Sequence, residues 1–146
     1  MNIYLRDATY EDKDLLYNWA NDEDVRKNSF STRSISYDEH CIWFDNMMKN
    51  ESIVQWILQE DEKPVGQIRI TINGSEGSIG YSVCADRRGA GLGKIMLSIA
   101  IEKLSVDYPV VKKLVAKVKP ENIASLKVFE NNGFEAKFQQ LEFEIG

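Results

Sequence analysis

The chain has few of the residues that usually hold metals or form disulfides. It contains one histidine, His40, and two cysteines, Cys41 and Cys84, which are not in a CxxC arrangement. A structural zinc centre needs about four Cys or His ligands. The sequence therefore predicts no metal site, and the two cysteines indicate free thiols in a reducing cytoplasm.

Positive charge and long apolar runs are also scarce. The 146 residues carry a formal net charge of −5, whereas non-specific nucleic-acid binding requires a basic face. No apolar run approaches the roughly 18 to 20 residues that span a bilayer. The opening stretch, MNIYLRDATYEDKD, lacks the basic and then apolar order of a secretion signal. We expect a cytoplasmic protein that binds neither nucleic acid nor a membrane.

No repeat, low-complexity tract or proline-rich linker divides the chain. The sequence therefore predicts a single domain over residues 1–146. Helix and strand signals follow the order β-α-α-β-β-β-α-β-α-β. This order predicts an α/β fold with a mixed central β-sheet flanked by helices.

Several polar residues indicate where helices begin and end. Thr9, Ser36 and Asn122 are typical N-cap residues, and a helix is expected to end near Asp107. The helix that begins after Asn122 is expected to end at Asn131, with Gly133 just beyond it. The polar stretch over residues 21–33 is expected to be a long loop.

The strand signals lie in the middle and at the end of the chain. Ile68, Ile70 and Ile72 alternate with polar residues, which indicates a strand with one buried face. Asn73 and Gly74 predict a hairpin turn before a strand over residues 78–83. Alternating apolar positions over residues 141–145 predict a final strand. The sequence is compatible with a monomer or a homodimer.

The glycine-rich stretch DRRGAGLGK, residues 86–94, predicts a phosphate-binding loop. It lies between a predicted strand and a predicted helix, and its glycines let the backbone approach an anion at a helix N-terminus. A nucleoside-triphosphate-binding loop would need glycine at Arg88 and Ser or Thr at Ile95. A dinucleotide fingerprint would need glycine at Lys94 or Met96. We therefore predict a pyrophosphate site without an obligatory metal.

Two blocks of sequence resemble the N-acetyltransferases of the GNAT superfamily. The first block, VCADRRGAGLG (residues 83–93), resembles the acetyl-CoA-binding signature, with Ala85 where proline is frequent. The second block, NIASLKVFENNGF (residues 122–134), resembles a later motif of the superfamily. The resemblance extends over the whole chain and implies an acetyl-CoA-dependent N-acetyltransferase with a GNAT-like fold.

The resemblance assigns coenzyme contacts to particular residues. It implies that the Val83 backbone pairs with pantetheine and polarises the thioester carbonyl. Asn122 would contact the pantetheine arm, and Phe129 lies where many members have the tyrosine that protonates the leaving thiolate. Backbone amides of the loop would hold the pyrophosphate of the co-substrate acetyl-CoA; they belong to Arg88, Gly89, Ala90, Gly91, Gly93 and Lys94.

The catalytic residues are harder to assign. Phe129 cannot donate a proton, and Ser125 is the candidate acid because a branch similar to the ribosomal-protein acetyltransferases has serine there. The alternative for Ser125 is a hydroxyl bonded to the helix backbone. His40 has a suitable intrinsic pKa for a base, but it shares a helical face with Trp43, Phe44 and Met47, which favours a packed histidine. Water relaying to a carboxylate such as Glu142 is a further alternative.

The acceptor region is expected in the first two helices and the loop between them. There, the patterns W-x-N, V-R-x-x-S and E-H-x-x-W-F resemble bacterial acetyltransferases of nucleotide-linked amino sugars. This implies a small-molecule amine acceptor, most specifically an amino-sugar nucleotide used for surface glycans. Two alternatives remain: a protein N-terminal acetyltransferase, and a non-catalytic acyl-CoA sensor.

Overall fold

In the part of the chain that the structure describes, five strands form one sheet, and each strand after the first lies beside the one that precedes it in the chain. The computed structural model describes residues 2–145. Neighbouring strands among the first four are antiparallel, and the fifth strand is parallel to the fourth. The strands are β1 (Ile3–Asp7), β2 (Ile53–Glu60), β3 (Lys63–Asn73), β4 (Glu76–Val83) and β5 (Lys113–Val115).

Between residues 2 and 145, five α-helices flank this sheet, which confirms the predicted α/β class. A 3-10 turn over Tyr10–Asp12 leads into the first helix. The helices are α1 (Lys13–Ala20), α2 (Glu23–Asn28), α3 (Tyr37–Lys49), α4 (Leu92–Asp107) and α5 (Ile123–Asn131). No helix between residues 2 and 145 is both long and apolar enough to cross a bilayer.

Two hydrophobic clusters cover the two faces of the sheet. The larger one joins α4 and α5 to strand residues such as Trp56, Ile68 and Ile79. The smaller one joins α1 and α3 to the opposite face through Ile57. Because successive strand residues point to opposite faces, the polar partners in the alternating pattern of β3, among them Arg69, lie on the α1 and α3 side.

The parallel pairing of β4 and β5 is short. Their register joins Glu76, Gly77 and Ser78 to Lys113, Leu114 and Val115, respectively. Beyond this point β4 continues to Val83, whereas β5 ends. The last part of β4 therefore has an open edge where β5 has departed, next to the glycine-rich loop.

The predicted helix signals are largely confirmed. The Ser36 hydroxyl accepts a hydrogen bond from the Glu39 amide at 3.2 Å, and Asn122 accepts one from the Ser125 amide at 3.3 Å. Helix α4 ends at Asp107, as predicted. Gly133 follows α5 with φ +90°, a left-handed conformation that glycine adopts readily.

One region predicted as loop is partly helical. Helix α2 occupies Glu23–Asn28 within the stretch predicted as loop over residues 21–33. Asp22 caps it by accepting hydrogen bonds from the amides of Asp24 and Val25. Asp22 and the acidic residues after it are signals for the start of a helix. The segment has too few apolar residues to show a helical period, so the sequence did not predict the helix.

The prediction of a final strand over residues 141–145 is wrong. These residues have no strand assignment, and Leu141 and Phe143 are 87% and 89% exposed. Alternating apolar residues specify the two faces of a strand. A strand forms only where the backbone of a neighbouring strand pairs with it through hydrogen bonds. In residues 2–145 no strand follows β5, so the edge strand expected near the C-terminus is absent.

Candidate functional site

The glycine-rich loop turns the chain from β4 into α4. Gly89 and Gly91 have φ values of +83° and +78°, which a side chain would disfavour by about 1–2 kcal/mol each. Ion pairs fix the base of the loop to the β2–β3 hairpin: Arg87 to Glu60 at 2.6 Å and Lys63 to Asp86 at 2.8 Å. The loop conformation is thus set by the two glycines and by the ion pairs at its start.

The loop presents a row of backbone amides without acceptors. Among residues 2–145, no amide from Arg88 through Lys94 donates a hydrogen bond to a backbone or side-chain acceptor, whereas the flanking amides of Arg87 and Ile95 do. The last three amides of the row open helix α4, where the helix dipole is positive. Such a row is suited to bind a phosphate or pyrophosphate.

The third loop glycine, Gly93, packs closely against the end of β4. A Cβ atom at Gly93 would lie 3.1 Å from the Tyr81 ring and 3.5 Å from the Tyr81 hydroxyl oxygen. Tyr81 also packs edge-on against Phe129, with ring centroids 5.6 Å apart. Tyr81 therefore joins the end of β4 to the start of α4 and to α5.

The side chain of Arg88 points back from the loop. It donates to the Val83 carbonyl at 3.2 Å and pairs with Asp22 at 2.7 Å and with Asp24 at 3.1 Å. The loop is consequently tied to the N-terminus of α2. Arg88 can offer its backbone amide to an anion, while its guanidinium is held by the two carboxylates.

The α5 residues predicted from the second block lie beside the loop. Ser125 is half-buried, and its side chain interacts with that of Tyr81. Burial raises the pKa of the Tyr81 phenol, and the interaction with Ser125 acts in the opposite direction. Asn122 caps α5, and Phe129 is a core residue, 5% exposed. Two hydroxyl groups, one of them missed by the sequence reasoning, thus lie near the open edge of β4.

A cleft of about 480 Å³ opens on the α1 and α2 side of the sheet. Its floor is formed by outward-facing residues of β3 and β4, and its walls by α1, α2 and β5. It extends to Tyr81 and Ser82, next to the open edge of β4. The lining residues include Trp19, Arg26, Phe30, Arg69, Ser78, Gly80 and Lys117.

His40 is not among the residues that line this cleft. It is 3% exposed, and its Nε2 lies 2.7 Å from the Lys13 carbonyl. Burial lowers the pKa of the imidazole, with the Lys13 carbonyl acting in the opposite direction. The rings of Tyr17, Trp43 and Phe44 surround it. This placement favours the packed histidine that the helical pattern indicated, and a catalytic role for His40 stays a prediction.

Neither Glu142, the carboxylate considered from the sequence, nor Cys84, one of the two free thiols, lines the cleft. Glu142 is exposed in the C-terminal segment. Cys84 donates a hydrogen bond to Asp86 at 3.0 Å, and burial together with Asp86 raises the pKa of this thiol to about 11. A thiol that stays protonated at neutral pH is a poor nucleophile, which disfavours an acetyl-enzyme on Cys84.

Comparison with solved structures identifies the fold. A domain from Methanocaldococcus jannaschii superposes with a TM-score of 0.82 at 27% identity, covering 97% of this chain and 93% of that domain. A spermidine N-acetyltransferase from Vibrio cholerae, in complex with CoA and spermine, gives 0.87 at 17% identity over 99% and 88%. The aminoglycoside acetyltransferase AAC(6')-Ib with coenzyme A gives 0.79 at 21% over 93% and 86%.

Sequence comparison agrees with the structural one. An uncharacterized M. jannaschii protein, MJ1062, is 28% identical over 140 residues. This covers 90% of the present chain but only 28% of that relative, so the chain spans about a quarter of its length. A family model described as an acetyltransferase (GNAT) domain matches residues 2–135. The chain belongs to the GNAT acetyltransferase family.

Proposed function

We propose that the protein transfers the acetyl group of acetyl-CoA to the amine of a small molecule. The observation that carries this proposal is the row of free backbone amides from Arg88 to Lys94 between a strand with an open edge and a helix N-terminus. The amides suit the pyrophosphate of a coenzyme. The adjacent edge of β4 suits the amide groups of a pantetheine arm, because an unpaired strand edge offers backbone donors and acceptors.

The chemistry needs few protein groups. The amine nitrogen attacks the thioester carbonyl carbon, the C–S bond breaks, the thiolate leaves, and the amine loses one proton. The backbone at Val83 is the proposed donor to the carbonyl oxygen as it gains negative charge. Asn122, at the start of α5, is proposed to contact the pantetheine arm.

Ser125 is the proposed proton donor to the leaving thiolate. It is half-buried, and its interaction with the Tyr81 hydroxyl gives it a neighbour that can replace the proton. Phe129 occupies the buried position at which many family members have tyrosine, and it has no proton to give. A donor one helical turn earlier, with Tyr81 beside it, is therefore a substitute on the same side of α5.

The amine must lose its proton before or during attack, and water in the open cleft is the proposed carrier. His40 was the sequence candidate for the base. Its burial and its bond to the Lys13 carbonyl support a packing role instead.

We further propose that the acceptor is an amino sugar linked to a nucleotide. The cleft has the volume for a sugar, and the rings of Trp19 and Phe30 line it, where they can stack on a sugar or base. The structural neighbours named for aminoglycosides and spermidine act on small amines, which supports a small acceptor. The N-terminal amine of a protein is the alternative acceptor, and an acyl-CoA sensor without turnover is the alternative function.

Acetyl-CoA-dependent thiol release, measured with amino-sugar nucleotides, polyamines and basic N-terminal peptides, tests the proposal. Turnover of the sugar nucleotides alone is the expected result. Turnover of peptides alone would replace the acceptor by a protein N-terminus. Tight coenzyme binding without release from any amine would favour the sensor.

A further inference from the structure

The walls and floor of the cleft carry positive charge without acidic residues. Of the described residues, three basic side chains line it, Arg26, Arg69 and Lys117, and no aspartate or glutamate does. A cleft of this composition repels polycations and attracts anions. The local charge is therefore opposite to the net charge of −5 of the whole chain.

Arg26 has a structural role. Its Nε donates to the Ala20 carbonyl at 2.6 Å, and its Nη1 donates to the carbonyls of Ser31 and Arg33 at 3.1 and 3.3 Å. Its Nη2 donates to the Ser29 hydroxyl at 3.2 Å. These bonds hold α2 and the following loop together, so each guanidinium nitrogen of Arg26 already has a protein partner.

Arg69 is held in place at one end only. Its Nε donates to Gln55 Oε1 at 2.8 Å, and its guanidinium carbon lies 4.3 Å above the Trp43 ring. Gln55 is itself buried and is fixed by donating to Gln67 Oε1 at 2.8 Å. The Arg69 side chain is thus oriented by one hydrogen bond and by stacking.

The other end of the Arg69 guanidinium has no protein partner among residues 2–145. Nη1 and Nη2 donate no hydrogen bond to the described residues, and no carboxylate lies within ion-pair distance. Every fully buried side-chain nitrogen or oxygen of the described residues has a partner, so these two nitrogens must reach open space. The open space lined by Arg69 is the cleft.

We infer that Arg69 binds a phosphate or carboxylate group of the acceptor, so that the natural acceptor is an anionic amine. This inference rests on the proposed acetyl transfer and names the class of its acceptor. The two free nitrogens form the planar fork that binds two oxygens of such a group. Lys117, exposed on the wall formed after β5, supplies a second positive charge on the same cleft.

The environment of Arg69 agrees with an anionic ligand. Burial lowers the pKa of its guanidinium to about 10. A cation that is desolvated without a counter-charge is stabilised when an anion binds beside it. The stacking on Trp43 keeps the guanidinium plane fixed before binding, which reduces the entropy lost when the acceptor is held.

The test compares acceptors that differ in charge and share an amine. Wild-type protein and the variants Arg69→Gln and Arg69→Lys are assayed with an amino-sugar nucleotide, an amino-sugar phosphate and the free amino sugar, and with an amino acid and its methyl ester. Arg33→Gln is the matched control, because Arg33 forms an exposed ion pair with Glu39 and does not line the cleft. Thermal unfolding and coenzyme A affinity are measured for each variant to establish that it folds.

We expect the wild type to prefer an acceptor that carries the anion. Arg69→Gln should raise its KM about 10- to 100-fold, the range expected for losing hydrogen bonds to a charged group. In Arg69→Gln the KM of the uncharged acceptor should stay within about twofold of the wild-type value, a small change compared with that of the anionic acceptor. Arg33→Gln should leave the KM of both acceptors unchanged. Acceptors that carry a phosphate and acceptors that carry a carboxylate are assayed separately, which shows which of the two groups Arg69 binds.

Equal turnover of anionic and neutral amines, or an equal loss for both in Arg69→Gln, would overturn the inference while leaving acetyl transfer intact. A binding measurement decides the case without turnover. Inorganic pyrophosphate and citrate are titrated with the loop saturated by coenzyme A. Binding that Arg69→Gln abolishes supports the anion site even if the proposed transfer fails, and binding that is independent of Arg69, or absent, contradicts it.

Discussion

The Arg88 guanidinium and the Asp22 carboxylate lie 2.7 Å apart and join the glycine-rich loop to the first turn of α2. Asp22 also accepts the amides of Asp24 and Val25. Burial raises the pKa of Asp22, but the Arg88 hydrogen bond and the two amides outweigh it and hold the pKa below its usual value. One carboxylate thus caps a helix that lines the cleft and ties the glycine-rich loop to that helix.

Asp22→Ala should lower the free energy of unfolding by about 1–2 kcal/mol, since it removes an N-cap and an ion pair. Asp24→Ala is the matched control: Asp24 is 65% exposed and shares only the 3.1 Å contact with Arg88, so a few tenths of a kcal/mol are expected. Urea denaturation measures both. Because the pKa of Asp22 is lowered by folding, its contribution is present above about pH 4 and is lost on acidification through the folded pKa. Equal losses in the two variants would contradict the double role of Asp22.

Gly91→Ala should weaken coenzyme A binding as well as stability. The residue has φ +78° with open space around its Cβ position, so the loss of about 1–2 kcal/mol comes from backbone strain, which distorts the amide row. Gly74→Ala is the control, because Gly74 has φ +63° in the β3–β4 turn, far along the chain from the loop. Calorimetric titration with coenzyme A should show weaker binding only for Gly91→Ala. Unchanged binding in both variants would argue against the amide row.

Ser125→Ala should lower kcat about 10- to 100-fold, the lower part of the range for general acids, because a thiolate is a tolerable leaving group. The KM for acetyl-CoA should change little. Tyr81→Phe should give a smaller loss, since it removes only the neighbour of Ser125. Ser98→Ala, on the exposed side of α4, serves as the control. If Ser125→Ala keeps the wild-type kcat at every pH, Ser125 is not the proton donor to the leaving thiolate.

His40→Gln should change the pH dependence of stability and leave turnover largely intact. Burial lowers the pKa of His40 in the folded protein, so the unfolded chain binds its proton more readily. Stability contributed by the neutral imidazole is present above about pH 6.5 and is lost as the pH falls towards the folded pKa. Denaturation between pH 5 and pH 7.5 should show this pH-dependent loss of stability in the wild type and not in His40→Gln. A large loss of kcat with unchanged stability would instead support a catalytic His40.

The sequence predicted the elements whose signals are local. The caps at Ser36 and Asn122, the hairpin near Gly74 and the end of α4 depend on a few neighbouring residues, and all are present. The wrong final strand and the missed α2 have another cause. A strand needs a partner ladder, and a six-residue helix is held by Asp22 and Arg88, which are 66 residues apart.

The candidate site was also predicted only where its signals are local. The loop amides follow from glycine positions between a strand and a helix, so they were found. Tyr81 and Arg69 were missed, because alternation shows which side of a strand a residue faces but not what lies across from it. The placement of Trp43 over Arg69, and of Ser125 beside Tyr81, arises only when helices pack on the sheet.

Binding of coenzyme A by the backbone amides of the glycine-rich loop can be observed by titrating the labelled protein with coenzyme A and recording amide NMR spectra. We expect large shifts and slowed hydrogen exchange for the amides of residues 88–94, with little change at the β3–β4 turn around Gly74. Saturable binding that leaves those amides unshifted, or no binding at millimolar coenzyme, would contradict this expectation.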